Sequence, residues 1–438
     1  MKPNTFHLVS LGCAKNTVDS TTMGNLLARQ GYSFEGDPGK AEVIIVNTCG
    51  FIRPAREEAI ETINELAKHK SKKQLLIAAG CMAEKFGDEI KSHCKKIDAL
   101  VGTRKINQIG EVISSLKSGS SLKDISARFD MDRLSQFALQ GSSAYLKIAD
   151  GCSRRCAFCA IPNIKGEWHS RPVEEIIRDA EVLNEQGIRE LILIAQDTTA
   201  YGIDRGEKDA LPGLLEKIQN AAPNIPWIRI LYAFPGFVSD HLIDLMSSDN
   251  RILPYLDIPL QHASPTVLKR MLRPDNMDSV RKTLEYMRKR MPEMAIRSTF
   301  ITGFPGETEE EFTELYQFIE AMEFDRVGVF PYYAEKGTPS SQYSDDVPEE
   351  VKLERQEQLY LLQQEISHDV NMRFVGKKMD ILIEGIQEDG MLVGRSYRDA
   401  PEIDGLVFVS GDSPAGNIVP VQITGVVGDY DLLGSIIS

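Results

Sequence analysis

At 438 residues the chain is long enough for about three domains, and its 42% hydrophobic and 26% charged content is that of a folded soluble protein. A formal charge of −14 speaks against a generic nucleic-acid binder, which shows a basic domain or stripe, and suits a basic macromolecular partner. No apolar run reaches the roughly 18 residues of a membrane-span candidate, no secretory cleavage pattern follows the N-terminus, and seven cysteines in so long a chain suggest metal or redox chemistry in a reducing cytoplasm rather than a secreted disulfide framework.

Residues 1–118 read as alternating strands and helices. Strand patterns lie at 6–11, 42–47 (EVIIVN), 75–79 (LLIAA) and 98–101. Helical patterns lie at 17–30, from Pro54, near 83–93 and from Asn107. The alternation predicts a doubly wound parallel sheet. Cys13, Cys49 and Cys81 each follow one of the first three strands directly, and each stands beside glycine. In an open parallel sheet the C-terminal strand ends share one edge, where ligands sit. Three thiols at neighbouring strand ends are therefore expected to converge. Cys94 follows a helix instead and reads as structural.

Residues 119–143 are polar, Ser-rich and poorly periodic, and read as a linker. The central region, 144–369, continues with strand patterns at 144–149, 191–195, 227–231, 255–258, 296–301 and 327–330. Helical patterns fall between them, as at 173–186 and 309–322, so parallel β/α architecture is expected. The first strand leads into GCSRRCAFC, where Cys152, Cys156 and Cys159 stand in C-x₃-C-x₂-C spacing. Thiolates are soft ligands suited to iron–sulfur clusters or zinc. Cubic clusters usually take four cysteines, so three on one loop leave one iron open, and an open metal position marks catalysis. Gln196 and Asp197 end the second strand, Gln261 and His262 follow the fourth, Arg297 lies on the fifth, and the glycines Gly303 and Gly306 in GFPGET follow it. Those glycines permit close backbone approach to a ligand.

A helix over 348–369, with Leu353, Leu359, Leu362 and Ile366 on its apolar face, reads as a connector. Residues 370–438 hold five short strand patterns, which suggests a small β-barrel resembling an oligonucleotide-binding fold. Five basic and ten acidic residues follow Asn371. A transfer-RNA binder needs basic contacts to phosphate here, whereas an acidic barrel suits a basic protein.

The spacing of Cys152, Cys156 and Cys159, with Phe158 before the last, resembles the signature of the radical S-adenosylmethionine enzymes. With the earlier trio Cys13, Cys49 and Cys81 in an α/β domain, the chain resembles the radical methylthiotransferases over essentially its whole length. The resemblance implies two 4Fe-4S clusters, one on each trio, with S-adenosylmethionine chelated at the open iron of the second and cleaved there to a 5′-deoxyadenosyl radical. It implies an open partial (β/α) TIM-like barrel with its loops at the C-terminal strand ends, and a C-terminal TRAM domain. It places Gln196, Asp197, Arg297, Gly303 and Gly306 near S-adenosylmethionine, although AQD replaces the superfamily's commoner Gly-Gly-Glu. Asn16, Asn47 and Thr48 match the family's flanking pattern and are candidate hydrogen-bond donors to cluster sulfurs, Asn47 equally a turn residue. Lys165 stands where relatives often carry Arg, and Lys does not reproduce an Arg fork. Residues 397–405 resemble the branch that modifies an aspartate β-carbon of small-subunit ribosomal protein S twelve. The alternative substrate is adenosine of transfer RNA. An external electron donor is implied, and the sequence specifies no sulfur source.

Overall fold

The computed structural model describes residues 4–119 and 135–437. The chain forms two compact units. One comprises 1–138, 145–154 and 159–179; the other comprises 139–144, 155–158 and 180–438. The linker read at 119–143 lies mostly outside the described residues, but its end forms a strand, Phe137–Gln140. Phe137 and Ala138 are buried in that short strand, which is too brief to show a period.

In the first unit a five-stranded parallel sheet runs in the order Tyr32–Phe34, Asn4–Ser10, Val43–Thr48, Leu75–Gly80, Ala99–Gly102. Val43–Thr48 is buried throughout, as a central parallel strand covered on both faces must be. Leu26 and Leu27 of helix Ala14–Arg29 and Ile109 and Ile113 of helix Ile109–Ser118 pack one face. Ile63 of helix Arg53–His69 packs the other. The helix expected near 83–93 is two helices, Cys81–Lys85 and Gly87–His93, broken at Phe86 by a non-helical φ of −121° and ψ of 31°. The strand expected at 144–149 is also divided. Ser143–Lys147 is one strand, and Ala149–Asp150 turns away to pair antiparallel with His169–Ser170.

The second unit carries the parallel strands Glu190–Ile194, Trp227–Ile230, Ile252–Asp257, Ala295–Thr302 and Arg326–Pro331. They belong to a seven-stranded sheet with Ser143–Lys147 and Phe137–Gln140. Helix Glu309–Met322 starts on a capping box. The Thr308 hydroxyl accepts from Glu311 N, and the Glu311 carboxylate accepts from Thr308 N. The connector runs as Glu349–Met372; Leu359 and Leu362 are buried, but Leu353, expected on that face, is 45% exposed. Five strands, Lys378–Ile386, Leu392–Arg395, Val407–Ser410, Ile418–Val427 and Asp431–Ile436, close a small barrel around Ile381, Ile383, Val407, Val409, Val421 and Leu432. Among the described residues no helix is long and apolar enough to cross a membrane.

The segment after the barrel strand Leu392–Arg395 is not a surface loop. Arg395 and Arg229 both donate to Glu190, each at 2.7 Å. Arg398 pairs with Asp325 at 2.8 Å, Arg326 with Asp399 at 3.0 Å, and Arg297 with Asp404 at 3.4 Å. Tyr255 Oη donates to Asp404 at 2.7 Å. Two arginines and two aspartates of the C-terminal charge count are thus internal. They cancel, so the excess of acid over base on the remaining surface is unchanged by their burial.

Burial alone would raise the Glu190 carboxyl, but the two guanidiniums hold it down to about 2, against an ordinary value of 4.5. Its stabilising contribution is therefore complete above about pH 4.5 and is lost as pH falls towards 2. Glu190→Gln is expected to cost about 3–5 kcal/mol near neutrality, because two buried arginines lose their counter-charge. Urea unfolding across pH should show the gap between wild type and variant closing as pH approaches 2.

Candidate active site

Strands Asn4–Ser10, Val43–Thr48 and Leu75–Gly80 are adjacent and parallel, so their C-terminal ends lie side by side. Cys13, Cys49 and Cys81 emerge there as free thiols, Cys13 exposed and the others buried. Glycine permits the close approach of these loops. Gly12 has φ +92°, and a Cβ on it would meet Cys49 Cβ at 2.7 Å and Cys49 Sγ at 3.1 Å. A Cβ on Gly50 would meet Met82 Cα, next to Cys81, at 2.8 Å.

Burial pushes the Cys81 thiol up to about 12; Lys165 opposes this, and Asp19, Cys13 and Cys49 add to it. Burial raises Cys49 too, with a contribution from Cys13. Cys81 thus feels both other members of the trio, and Cys49 feels Cys13. At neutral pH the buried Cys49 and Cys81 keep their protons, and a bound cation must displace them. Cys81 Sγ donates to Asn16 Oδ1 at 3.6 Å. Asn47 Nδ2 donates instead to Asn16 O and Ser20 Oγ, and Thr48 Oγ1 to Ala79 O. Asn47 thus ties its strand end to helix Ala14–Arg29 and Thr48 ties its own to strand Leu75–Gly80, while Asn16 bonds to a trio sulfur. Among the described residues, no three His, Cys, Asp or Glu side chains stand at metal-ligand spacing. The chemistry of the donor sets nonetheless fits iron: reduced thiols in threes, with glycine where a side chain would obstruct them.

The second trio lies on the loop after Asp150. Gly151 has φ +77°, and a Cβ there would come within 2.0 Å of Glu167 O. Cys152 N donates to Gly166 O at 3.0 Å and Trp168 N to Ser153 Oγ at 3.1 Å, which folds the loop back on 166–168. Cys152 and Cys159 are half-buried and Cys156 is buried. Helix Ile161–Lys165 follows, and Ala160 and Ile164 pack on Cys81.

Beneath this contact lies an ionic group that the sequence analysis missed. Asp19, on helix Ala14–Arg29, accepts from both Lys147 Nζ and Lys165 Nζ, the latter at 2.7 Å. The three side chains are 2–4% exposed. Asp150 completes the group at 3.3 Å from Lys147 and 3.6 Å from Lys165. Burial opposes charge on Lys165, but Asp150 and Asp19 outweigh it and hold its pKa well above the ordinary value. Lys165, which an Arg-based motif leaves without a role, is thus a structural cation facing the first trio. Asn16, Asp19 and Ser20, polar on a buried helix face, were the available signal.

The remaining predicted residues divide. Asp197 is buried and its carboxylate accepts from Thr199 Oγ1 at 2.6 Å. Gln196, beside it, is partly buried just past strand Glu190–Ile194. Gly303 and Gly306, at φ +68° and +76°, follow strand Ala295–Thr302. Their N–H groups donate to Glu307 and Asp346, at 3.0 and 2.9 Å. Arg297 lies early in that same strand, away from its C-terminal end. Asp257, at 3.1 Å, and Asp404 take up its charge. His262 is fully buried; Nδ1 accepts from Ser264 N, and Nε2 stands 3.4 Å from Glu307, which Arg355 also contacts at 2.8 Å. It positions the 303–307 turn through Glu307.

Residues 5–102 match the uncharacterized protein family UPF0004, 146–319 the radical SAM superfamily and 375–437 the TRAM domain. The ribosomal protein uS12 methylthiotransferase RimO of Thermoanaerobacter sp. (strain X514) is 44% identical, with 98% of each chain covered. The protein of the same name from Symbiobacterium thermophilum is 43% identical over 99% of this chain and 91% of its own. Among solved structures, TsrM, a radical S-adenosylmethionine methyltransferase from Kitasatospora setae, aligns with a TM-score of 0.58 at 14% identity, covering 77% of each chain. The cobalamin-dependent S-adenosylmethionine radical enzyme OxsB aligns at 0.53 and 12% identity, over 82% of this chain and 56% of its own. These two share the fold. The full-length relatives settle the family: the chain belongs to the ribosomal protein uS12 methylthiotransferases, a radical S-adenosylmethionine family.

Proposed function

We propose that this enzyme transfers a methylthio group to an aspartate β-carbon of ribosomal protein uS12. Cys152, Cys156 and Cys159 would hold one 4Fe-4S cluster, and Cys13, Cys49 and Cys81 the other. When bound, these groups supply the electron that cleaves S-adenosylmethionine and the sulfur that is methylated and transferred. The chain's own residues hold the loops, exclude water and neutralise charge. Gly12, Gly50 and Gly151 let backbone close on the thiols. Asp197 and the 303–307 turn, at C-terminal strand ends, are proposed to face S-adenosylmethionine. The observation that carries the reading is the pair of reduced cysteine trios. The first lies at one sheet edge, and the loop of the second leads into a helix packed on Cys81. A basic ribosomal protein is favoured over transfer RNA because the C-terminal barrel keeps an acidic surface. An external reductant and a sulfur source are further partners.

Mass spectrometry of uS12 and of bulk transfer RNA from a strain lacking the gene decides the substrate. The methylthio mass is expected to vanish from uS12 while nucleoside modification persists. Loss from transfer RNA alone would overturn the assignment.

A further inference from the structure

Arg273 lies outside every motif read from the sequence. It follows helix Pro265–Arg270, whose end is turned by Leu272 at φ +55°, a left-handed conformation that non-glycine residues seldom adopt. Leu272 N donates to Lys269 O at 3.1 Å and Arg273 N to Leu268 O at 2.9 Å, closing the turn. Met271 O accepts from Ala157 N at 2.8 Å, so the turn is docked on the residue beside Cys156. Pro274 follows, which biases Arg273 towards extended backbone.

The guanidinium is held on three sides. Nη1 donates to Cys156 Sγ at 3.6 Å, Nη2 donates to Pro259 O at 2.5 Å, and the plane lies over the Phe234 ring, 4.4 Å from its centroid. Cys156 itself is 7% exposed, so little water competes for its sulfur.

We propose that Arg273 is a positioning residue of the radical-generating centre: in the loaded protein its guanidinium donates to the Cys156 sulfur and raises the reduction potential of the cluster held there. This rests on Cys152, Cys156 and Cys159 being the ligands. Reduction by one electron adds a negative charge to the cluster. A cationic donor fixed against a ligand sulfur stabilises that reduced state more than the oxidised one. Pro259 O and Phe234 fix the fork so that little ordering remains to be done. A lysine keeps the charge but cannot serve Pro259 O and Cys156 Sγ together.

The test uses the full chain with Cys13, Cys49 and Cys81 replaced by alanine, so that one cluster remains. It is reconstituted anaerobically and titrated with dithionite under potentiometric control, with the reduced signal read by electron paramagnetic resonance. Iron per chain is measured alongside. Arg273→Gln is expected to retain iron and to shift the one-electron reduction equilibrium at least about tenfold towards the oxidised state, about 59 mV, with Arg273→Lys falling between. An unchanged potential in an iron-loaded Arg273→Gln protein would overturn the proposal and leave a purely structural clamp. Should the Gln variant not load, the Lys variant decides by the same criterion. A parent protein without iron would refute the ligand assignment, and this inference with it.

Discussion

Cys156→Ala is expected to abolish cleavage of S-adenosylmethionine, whereas Cys49→Ala leaves cleavage measurable and stops sulfur insertion. The two thiols are alike in burial, so burial does not divide them; place does. Cys156 sits on the loop whose spacing leaves one iron open, and its sulfur is contacted by Arg273. Cys49 stands at a strand end against Gly12, where Cys13 helps to raise its thiol and where it in turn helps to raise Cys81. Release of 5′-deoxyadenosine under dithionite, set against formation of the methylthio product, reads the two effects separately. Equal loss of cofactor cleavage in two folded variants would contradict the division of labour.

Asp19→Ala is expected to destabilise the protein by about 3–5 kcal/mol, the cost of stranding buried charge. Lys147 and Lys165 both point at that carboxylate, and the remaining anion, Asp150, is 38% exposed in its side chain and farther from each. Removal of one carboxylate thus leaves two buried cations to share a partly solvated partner. Replacing its three buried members, Asp19→Leu with Lys147→Met and Lys165→Met, should cost less than the single change, since the one charge then left without its partners, Asp150, is 38% exposed and reaches water. Thermal melting of the three full-length proteins checks the order. A triple variant less stable than Asp19→Ala would show that the ions contribute more than their mutual neutralisation.

The parts of the molecule legible in sequence were those with short-range signals. Strand and helix periods marked the N-terminal α/β layer and the five strands of the small barrel. The equivalent placement of Cys13, Cys49 and Cys81 after strands that are neighbours in one parallel sheet marked a shared edge, because parallel topology converts chain position into spatial position. What escaped was pairing at long range. Asp19 meets Lys165 across 146 residues of sequence, and no local pattern announces such a partner. Arg395, Arg398, Asp399 and Asp404 have the composition of an exposed loop, yet each is taken up by a buried or partly buried partner. Charge counted along the chain measures surface only after such internal pairs are removed. Arg273 is hidden for the same reason: its partner sulfur is 117 residues away.

The association of 145–154 and 159–179 with the first unit bears on how this enzyme can be recombined. A chimera cut at the sequence boundary near residue 144 would separate Lys147 and Lys165 from Asp19, and Ile164 from Cys81. The transferable module is therefore discontinuous. A foreign barrel grafted onto this N-terminal half must inherit 145–154 and 159–179 from the donor of Asp19 and Cys81, whatever the family boundaries suggest.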